Sequence, residues 1–170
     1  MRYFTAIVFV FCFLSCHNPA STETKHESTT TQQDSGIDKN LIITPEEMHD
    51  DTVFNNGSRP ADWSVSGIGD PNQLKIFIKN LRFWVEHGNK DSIAHHIQYP
   101  LQKQLVNSPE EFIKNYDNIF NKKVINALND QKLSQIFRNQ QGAMLGDGML
   151  WIRNFSPGFE EDFKIVAINN

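Results

Sequence analysis

A chain of 170 residues has room for one domain with a core large enough to fold without disulfide staples. Its 16 Lys and Arg against 20 Asp and Glu give a formal net charge of −4, and this mild acidity argues against nucleic acid as the partner. The only two cysteines, Cys12 and Cys16, lie at the N-terminal end, so the chain beyond them has no thiol for a disulfide, a cysteine nucleophile or a cysteine-bound metal.

Residues 1–15 have the anatomy of a signal peptide: Arg2 carries the charge and Tyr3 to Leu14 are almost wholly apolar. The apolar run is shorter than the roughly 20 residues a membrane-spanning helix needs. Ser15-Cys16 after Leu14 resembles the bacterial lipobox, in which the cysteine is lipidated and becomes the first residue of the mature protein; Phe13 departs from the leucine usual in that pattern. The resemblance implies Cys16 as lipidation site, a membrane contact through the lipid, and a place in the cell envelope, at the outer membrane or facing the periplasm. The alternatives are an ordinary secretory signal cleaved nearby or an uncleaved apolar anchor.

Residues 16–40 are rich in Ser and Thr and poor in large apolar side chains, which predicts a disordered tether. At about 5 to 6 Å times the square root of its length, it reaches roughly 25 to 30 Å from the lipid. His17 and His26 within it are too dispersed for a metal site. Residues 41–69 form an N-terminal extension with a short helix opened by Thr44-Pro45-Glu46-Glu47, a capping box with proline at the first helical position. Glu46, Glu47, His49, Asp50 and Asp51 read either as a divalent-ion cluster or, more simply, as a solvated turn near the positive end of a helix dipole. Trp63 is expected to anchor this extension on the domain.

An α+β domain is predicted over residues 70–170. Asp70-Pro71 caps a long helix whose apolar stripe is Leu74, Phe77, Ile78, Leu81, Trp84 and Val85, with Gln73 able to reach back and Gly88 as the stop. A shorter helix around Asp91 to Ile97 ends before Tyr99-Pro100, and Pro100 to Val106 is read as an edge strand. Ser108-Pro109 opens a further helix with Phe112, Ile113, Tyr116, Ile119 and Phe120 on one face, and Val124, Ile125 and Leu128 extend the helical region. The run from Gln141 to Arg153 is read as the central hairpin of an antiparallel sheet, because Asp147-Gly148 suits a type I′ loop; Leu145 then faces Leu150 and Met144 faces Trp151. Phe163 to Ile168 makes the last strand, with residues 163, 165 and 167 on one face.

Helices followed by three strands, with the long helix capped by Asp70-Pro71 and a strand ending the chain, resemble the nuclear-transport-factor-2-like fold. Tyr99-Pro100-Leu101, Asn115 to Phe120 and Gly146 to Trp151 are similar to segments of uncharacterised secreted bacterial proteins of that fold. The resemblance implies N-terminal helices packed on a curved antiparallel sheet around a conical pocket. Members of that fold include isomerases, dehydratases and pure binding modules.

Candidate chemistry is sparse. His96, beside His95, has the residue type of a general base, and Tyr116 with Asp117 pairs a phenol and a carboxylate; the simpler readings are one histidine exposed and the other hydrogen-bonded at the edge of the core, and a buried Tyr116 ring whose hydroxyl a neighbour satisfies, with Asp117 on a different face of the helix. Arg138 and Arg153 flank the hairpin and Trp151 lies in it; all three are candidate ligand contacts, Trp151 on the concave side while Leu150 and Ile152 fill the core. No metal site and no cofactor is predicted. The Gly-Xaa-Ser-Xaa-Gly elbow, the His-Glu-Xaa-Xaa-His motif and the phosphate-binding glycine loop are absent from the sequence. The leading expectation is therefore a lipid-anchored envelope module that binds a small molecule or an envelope protein. The alternatives are a small envelope enzyme of isomerase or dehydratase type and an immunity-like or inhibitor protein.

Overall fold

The computed structural model describes residues 36–38, 40–157 and 160–170. The signal, Cys12, Cys16, His17, His26 and most of the expected tether lie outside them. The described residues form α1 (Pro45–Met48), a 3-10 turn (Trp63–Ser66), α2 (Pro71–Glu86), α3 (Lys90–His95), α4 (Pro109–Ile119), α5 (Lys122–Asp130) and four strands, β1 (Phe137–Asn139), β2 (Gly142–Leu145), β3 (Leu150–Asn154) and β4 (Phe163–Ile168). The architecture is α+β: five helices and an antiparallel sheet in the order β1-β2-β3-β4. No described helix is long and apolar enough to cross a membrane.

Helix starts follow their caps. Thr44 and Glu47 close the capping box of α1, Ser108 accepts the N–H of Glu111 at the head of α4, and Asp70 accepts the N–H groups of Asn72 and Gln73 at the head of α2. The buried stripe of α2, from Leu74 through Phe77, Ile78 and Leu81 to Trp84, packs in one core with Ala143, Leu145, Leu150, Ile152, Phe163, Ile165 and Ile168 of the sheet. Gly88 ends α2 with φ of 63°.

β2 and β3 are the central strands. Leu145 faces Leu150 and Met144 faces Trp151. Asp147 and Gly148 take φ of 51° and 97°, and the N–H of Met149 donates to Gly146 O at 3.1 Å, closing the predicted tight loop. Gly146 is required for a second reason: a Cβ there would lie 2.4 Å from the Cβ of Ala127, so the turn presses against α5.

Three expectations are corrected. Pro100 to Val106 is no edge strand; Leu101 and Val106 pair with each other through one isolated bridge, and the segment curls back on itself with Leu105 at φ of 53°. An additional strand, β1, precedes the hairpin, paired with β2 from Phe137 opposite Met144 to Asn139 opposite Gly142. In β4 the buried residues are 163, 165 and 168. The register shifts opposite Trp151 and Ile152, making Val166 the extra residue of a bulge, and the bulge turns Ile168 inward where strict alternation would have placed Ala167.

Contacts to the domain begin upstream of Leu41. Ile37 packs against the core, and Asp38 exchanges hydrogen bonds with the side chain of buried Asn80, its N–H donating to Oδ1 at 2.9 Å and its carbonyl accepting from Nδ2 at 3.3 Å. The extension is held further by Asp50. Its Oδ1 meets Nζ of fully buried Lys75 at 2.9 Å, and its Oδ2 meets the Arg138 guanidinium at 3.1 Å and accepts from Trp63 Nε1 at 2.5 Å.

Candidate functional site

The loop between β3 and β4 is shaped by Asn154, whose Oδ1 accepts the N–H groups of Ser156 at 3.0 Å and Asp162 at 3.2 Å; the N–H of Phe155 donates to Asp162 O at 2.9 Å. This side-chain turn carries Glu161 back over the start of α2. There Oε1 of Glu161 accepts the N–H groups of Gly69 at 3.0 Å and Asp70 at 2.9 Å. The role that sequence logic gives to Gln73, reaching back to its own cap, is filled from the far end of the chain. Only 9 % of Glu161 is exposed, and its second oxygen, Oε2, is buried without a hydrogen-bond partner among the described residues.

Glu161 lines a cavity of about 460 Å³ together with Ile37, Gln73, Ile76, Glu160 and Phe163. An adjoining cavity of about 370 Å³ shares Ile37, Glu160 and Glu161 and is bounded by His95, His96 and Asp162. The pair thus combines an apolar wall from α2 and β4 with carboxylates from the β3–β4 loop, in the size range of small-molecule pockets.

His96 is placed by the fold. Its carbonyl accepts the N–H of Ile165 at 2.7 Å, which docks the end of α3 on the edge strand β4. Its ring stacks on Trp84 with centroids 5.0 Å apart and meets the edge of Phe77 at 5.3 Å. Nδ1 lies 3.3 Å from Phe163 O, which assigns the proton to Nδ1 as the donor. Burial pushes its pKa down to about 4, aided by the charges of Lys164 and His95 and opposed by the Phe163 hydrogen bond and Asp162. His96 is therefore neutral at pH 7. Its exposed neighbour His95 meets it edge-on at 5.3 Å.

Tyr116 and Asp117 are not gathered with it. Tyr116 is buried, stacked on Phe120 at 5.4 Å and under Lys90 Nζ at 4.6 Å, and burial raises its phenol to about 12. Its hydroxyl finds no partner among the described residues, which corrects the expectation that a neighbour would satisfy it. The side chain of Asp117 is 87 % exposed and pairs with Lys90 at 3.2 Å. Among the described residues, no hydrogen bond or ring contact joins His96 to either of them.

Arg138 is 5 % exposed and occupied internally: besides Asp50, it donates to Ala61 O and Ile136 O and covers the Trp63 ring at 3.9 Å. Trp151 is half-buried on the sheet face opposite Leu150 and Ile152, and exposed Arg153 reaches toward Phe155. Neither lines the Glu161 cavity. The acidic residues of the extension are likewise dispersed, Glu47 to Thr44 and Lys79, Asp50 to Lys75 and Arg138, Asp51 to Gln135. Among the described residues, no group of three or more His, Cys, Asp and Glu is placed to hold a metal ion.

Glu161 escapes sequence reasoning because Glu160-Glu161-Asp162 looks like any solvated acidic turn. The one available signal is its position just before a buried strand. Compared with known proteins, the chain matches no family model, no curated protein and no solved structure.

Proposed function

We propose that this chain is a lipid-anchored binding module of the bacterial cell envelope, tethered through Cys16, with a nuclear-transport-factor-2-like domain that takes a small ligand in the cavity beside Glu161. The envelope placement rests on the signal-like N-terminus and lipobox-like Ser15-Cys16. The fold assignment rests on the long Asp70-capped helix, the antiparallel sheet and the terminal strand.

One observation carries the binding reading. Glu161 stands at the wall of a cavity faced by Ile37, Ile76 and Phe163, with Oε1 accepting two backbone N–H groups and Oε2 buried without a hydrogen-bond partner among the described residues. An apolar wall beside a few fixed polar groups is the usual make-up of a small-molecule site. The separation of His96 from Tyr116 and Asp117 supplies no acid-base pair for the isomerase or dehydratase alternative.

Saturation-transfer NMR of the full chain against a set of small amphiphilic fragments tests the reading. Fragments should bind, compete for one site, and lose their signal in Ile76→Trp, which fills the cavity. Binding unaffected by that substitution, or no fragment bound at all, would remove the cavity from consideration.

A further inference from the structure

We infer that Ile37 and Asp38 form a strap, latched by Asn80, that closes the Glu161 cavity, so that access to the cavity is set by the segment leading in from the N-terminal end of the chain. The inference rests on the binding reading above for what enters the cavity and adds how entry is controlled.

The latch is a buried amide. Asn80 lies on α2 among Phe77, Ile78 and Leu81 and is 2 % exposed, where a carboxamide is tolerated only with its polar atoms paired. Its Oδ1 accepts the N–H of Asp38 at 2.9 Å, and its Nδ2 donates to Asp38 O at 3.3 Å and to Ile76 O at 3.0 Å. The side chain thus grips the backbone of a residue 42 positions away. A grip on backbone atoms fixes the course of the chain beside α2 whatever side chain stands at position 38.

That course matters because of Ile37. Its side chain packs against the core and borders both cavities, the one of about 460 Å³ with Ile76 and Phe163 and the one of about 370 Å³ with His95 and His96. Ile76 stands one helical turn before Asn80, so the latch and the cavity wall are neighbours on α2. With Ile37 lifted away, both cavities lose an apolar wall that they share.

The strap can lift without the rest of the extension. Ile37 is half-buried, and no described residue from Asp38 to Ile42 is buried. Fixed points follow immediately downstream: Ile42 O held by Lys79 Nζ at 2.8 Å, buried Ile43, and the capping box of Thr44 and Glu47. None of these uses Asn80. Undocking Ile37 and Asp38 therefore gives up the two Asn80 hydrogen bonds and one half-buried side chain while α1 and the Asp50 contacts stay in place, which is the profile of a segment that opens locally. Docking and occupancy are then reciprocal: a ligand against Ile37 holds the strap down, and a docked strap completes the wall for the ligand.

The test places a thiol under the strap, Ile76→Cys in the full chain, and follows its alkylation by iodoacetamide at pH 7, read on the peptide that carries position 76. Adding Asp38→Pro, which removes the N–H that donates to Asn80 and leaves the core side chains intact, should speed alkylation at least about tenfold. Asn80→Leu should do the same from the other side of the latch. Amide exchange of Phe77, Ile78 and Leu81 should stay slow in both, which separates a lifted strap from a loosened domain. Alkylation equally fast with and without Asp38→Pro overturns the inference, as does acceleration accompanied by faster exchange of those core amides. If Asn80→Leu does not fold, Asp38→Pro decides alone. In chains that keep Ile76, fragments that bind the wild type should bind Asp38→Pro at least about tenfold more weakly. Undiminished binding overturns control by the strap and leaves the binding reading standing. Absence of any bound fragment removes the binding reading, and the thiol rates still decide whether the strap covers the cavity.

Discussion

Glu161 accepts the backbone N–H of Asp70 at 2.9 Å, so a carboxylate from the loop before the last strand completes the cap of the longest helix. With Gly69, two backbone donors depend on one oxygen. Glu161→Ala strands both and should cost about 2 to 4 kcal/mol, whereas Glu161→Gln keeps a carbonyl acceptor and should cost about 1 kcal/mol or less. Urea denaturation of the two variants checks the order; equal losses would mean that the hydrogen bonds to Gly69 and Asp70 contribute little.

The Asp50 carboxylate gathers Lys75, Arg138 and Trp63 under the N-terminal extension. Removing it leaves the fully buried ammonium of Lys75 with Met48 O as its one acceptor among the described residues, so Asp50→Ala should destabilise by about 3 to 5 kcal/mol. Lys75→Met, which removes the buried charge and fills the same space, should cost clearly less. Chemical denaturation of both variants measures the difference, and an Asp50→Ala loss below that of Lys75→Met would contradict the arrangement.

His96 makes stability depend on pH with a definite sign. Burial holds the folded-state pKa at about 4 against 6.5 for the free imidazole, so between these values the unfolded chain takes up a proton that the folded chain refuses. The contribution is fully present above pH 6.5, declines as pH falls and is lost once pH reaches about 4. From pH 7 to 5 the loss should be on the order of 1 to 2 kcal/mol, or several degrees in melting temperature. His96→Phe, which preserves a ring against Trp84, should flatten that slope. An unchanged slope in the variant would assign the pH dependence to other groups.

Anchoring through Cys16 predicts that Cys16→Ala moves the protein from the membrane to the soluble fraction. Two or more acyl chains hold a protein stably where one alone is marginal, at about 0.8 kcal/mol per buried methylene. Fractionation together with intact-mass measurement checks this: added fatty acid on the wild type and none on the variant. A wild type without acyl mass would contradict the anchor.

Features set by a few adjacent residues were legible in the sequence. Asp70-Pro71, Ser108-Pro109 and Asp147-Gly148 act through their own backbone geometry, and each is found where its local chemistry puts it. Features set by distant partners were not. Lys75 adjoins an apolar stripe and reads as a wet lysine until Asp50 is folded onto it; Glu161 reads as one acid among three until the loop carries it to Gly69 and Asp70. The bulge at Val166 left no mark, because Ile165, Val166, Ala167 and Ile168 are apolar in either register. The candidate site shares this limit: residue type alone points to His96, whereas the carboxylate and the apolar wall beside it are assembled from residues far apart in the chain.

The proposed ligand site is the Glu161 cavity and not the outer sheet face that bears Phe137, Met144 and Trp151. Amide chemical-shift mapping of the isotope-labelled full chain, titrated with the small-molecule fraction of a bacterial cell envelope, separates the two most directly. Shifts confined to residues 37–38, 69–77, 95–96 and 160–165, and absent in Ile76→Trp, are expected. Shifts centred on Phe137, Met144 and Trp151, with the amides of Gly69 and Asp70 unmoved, would contradict it.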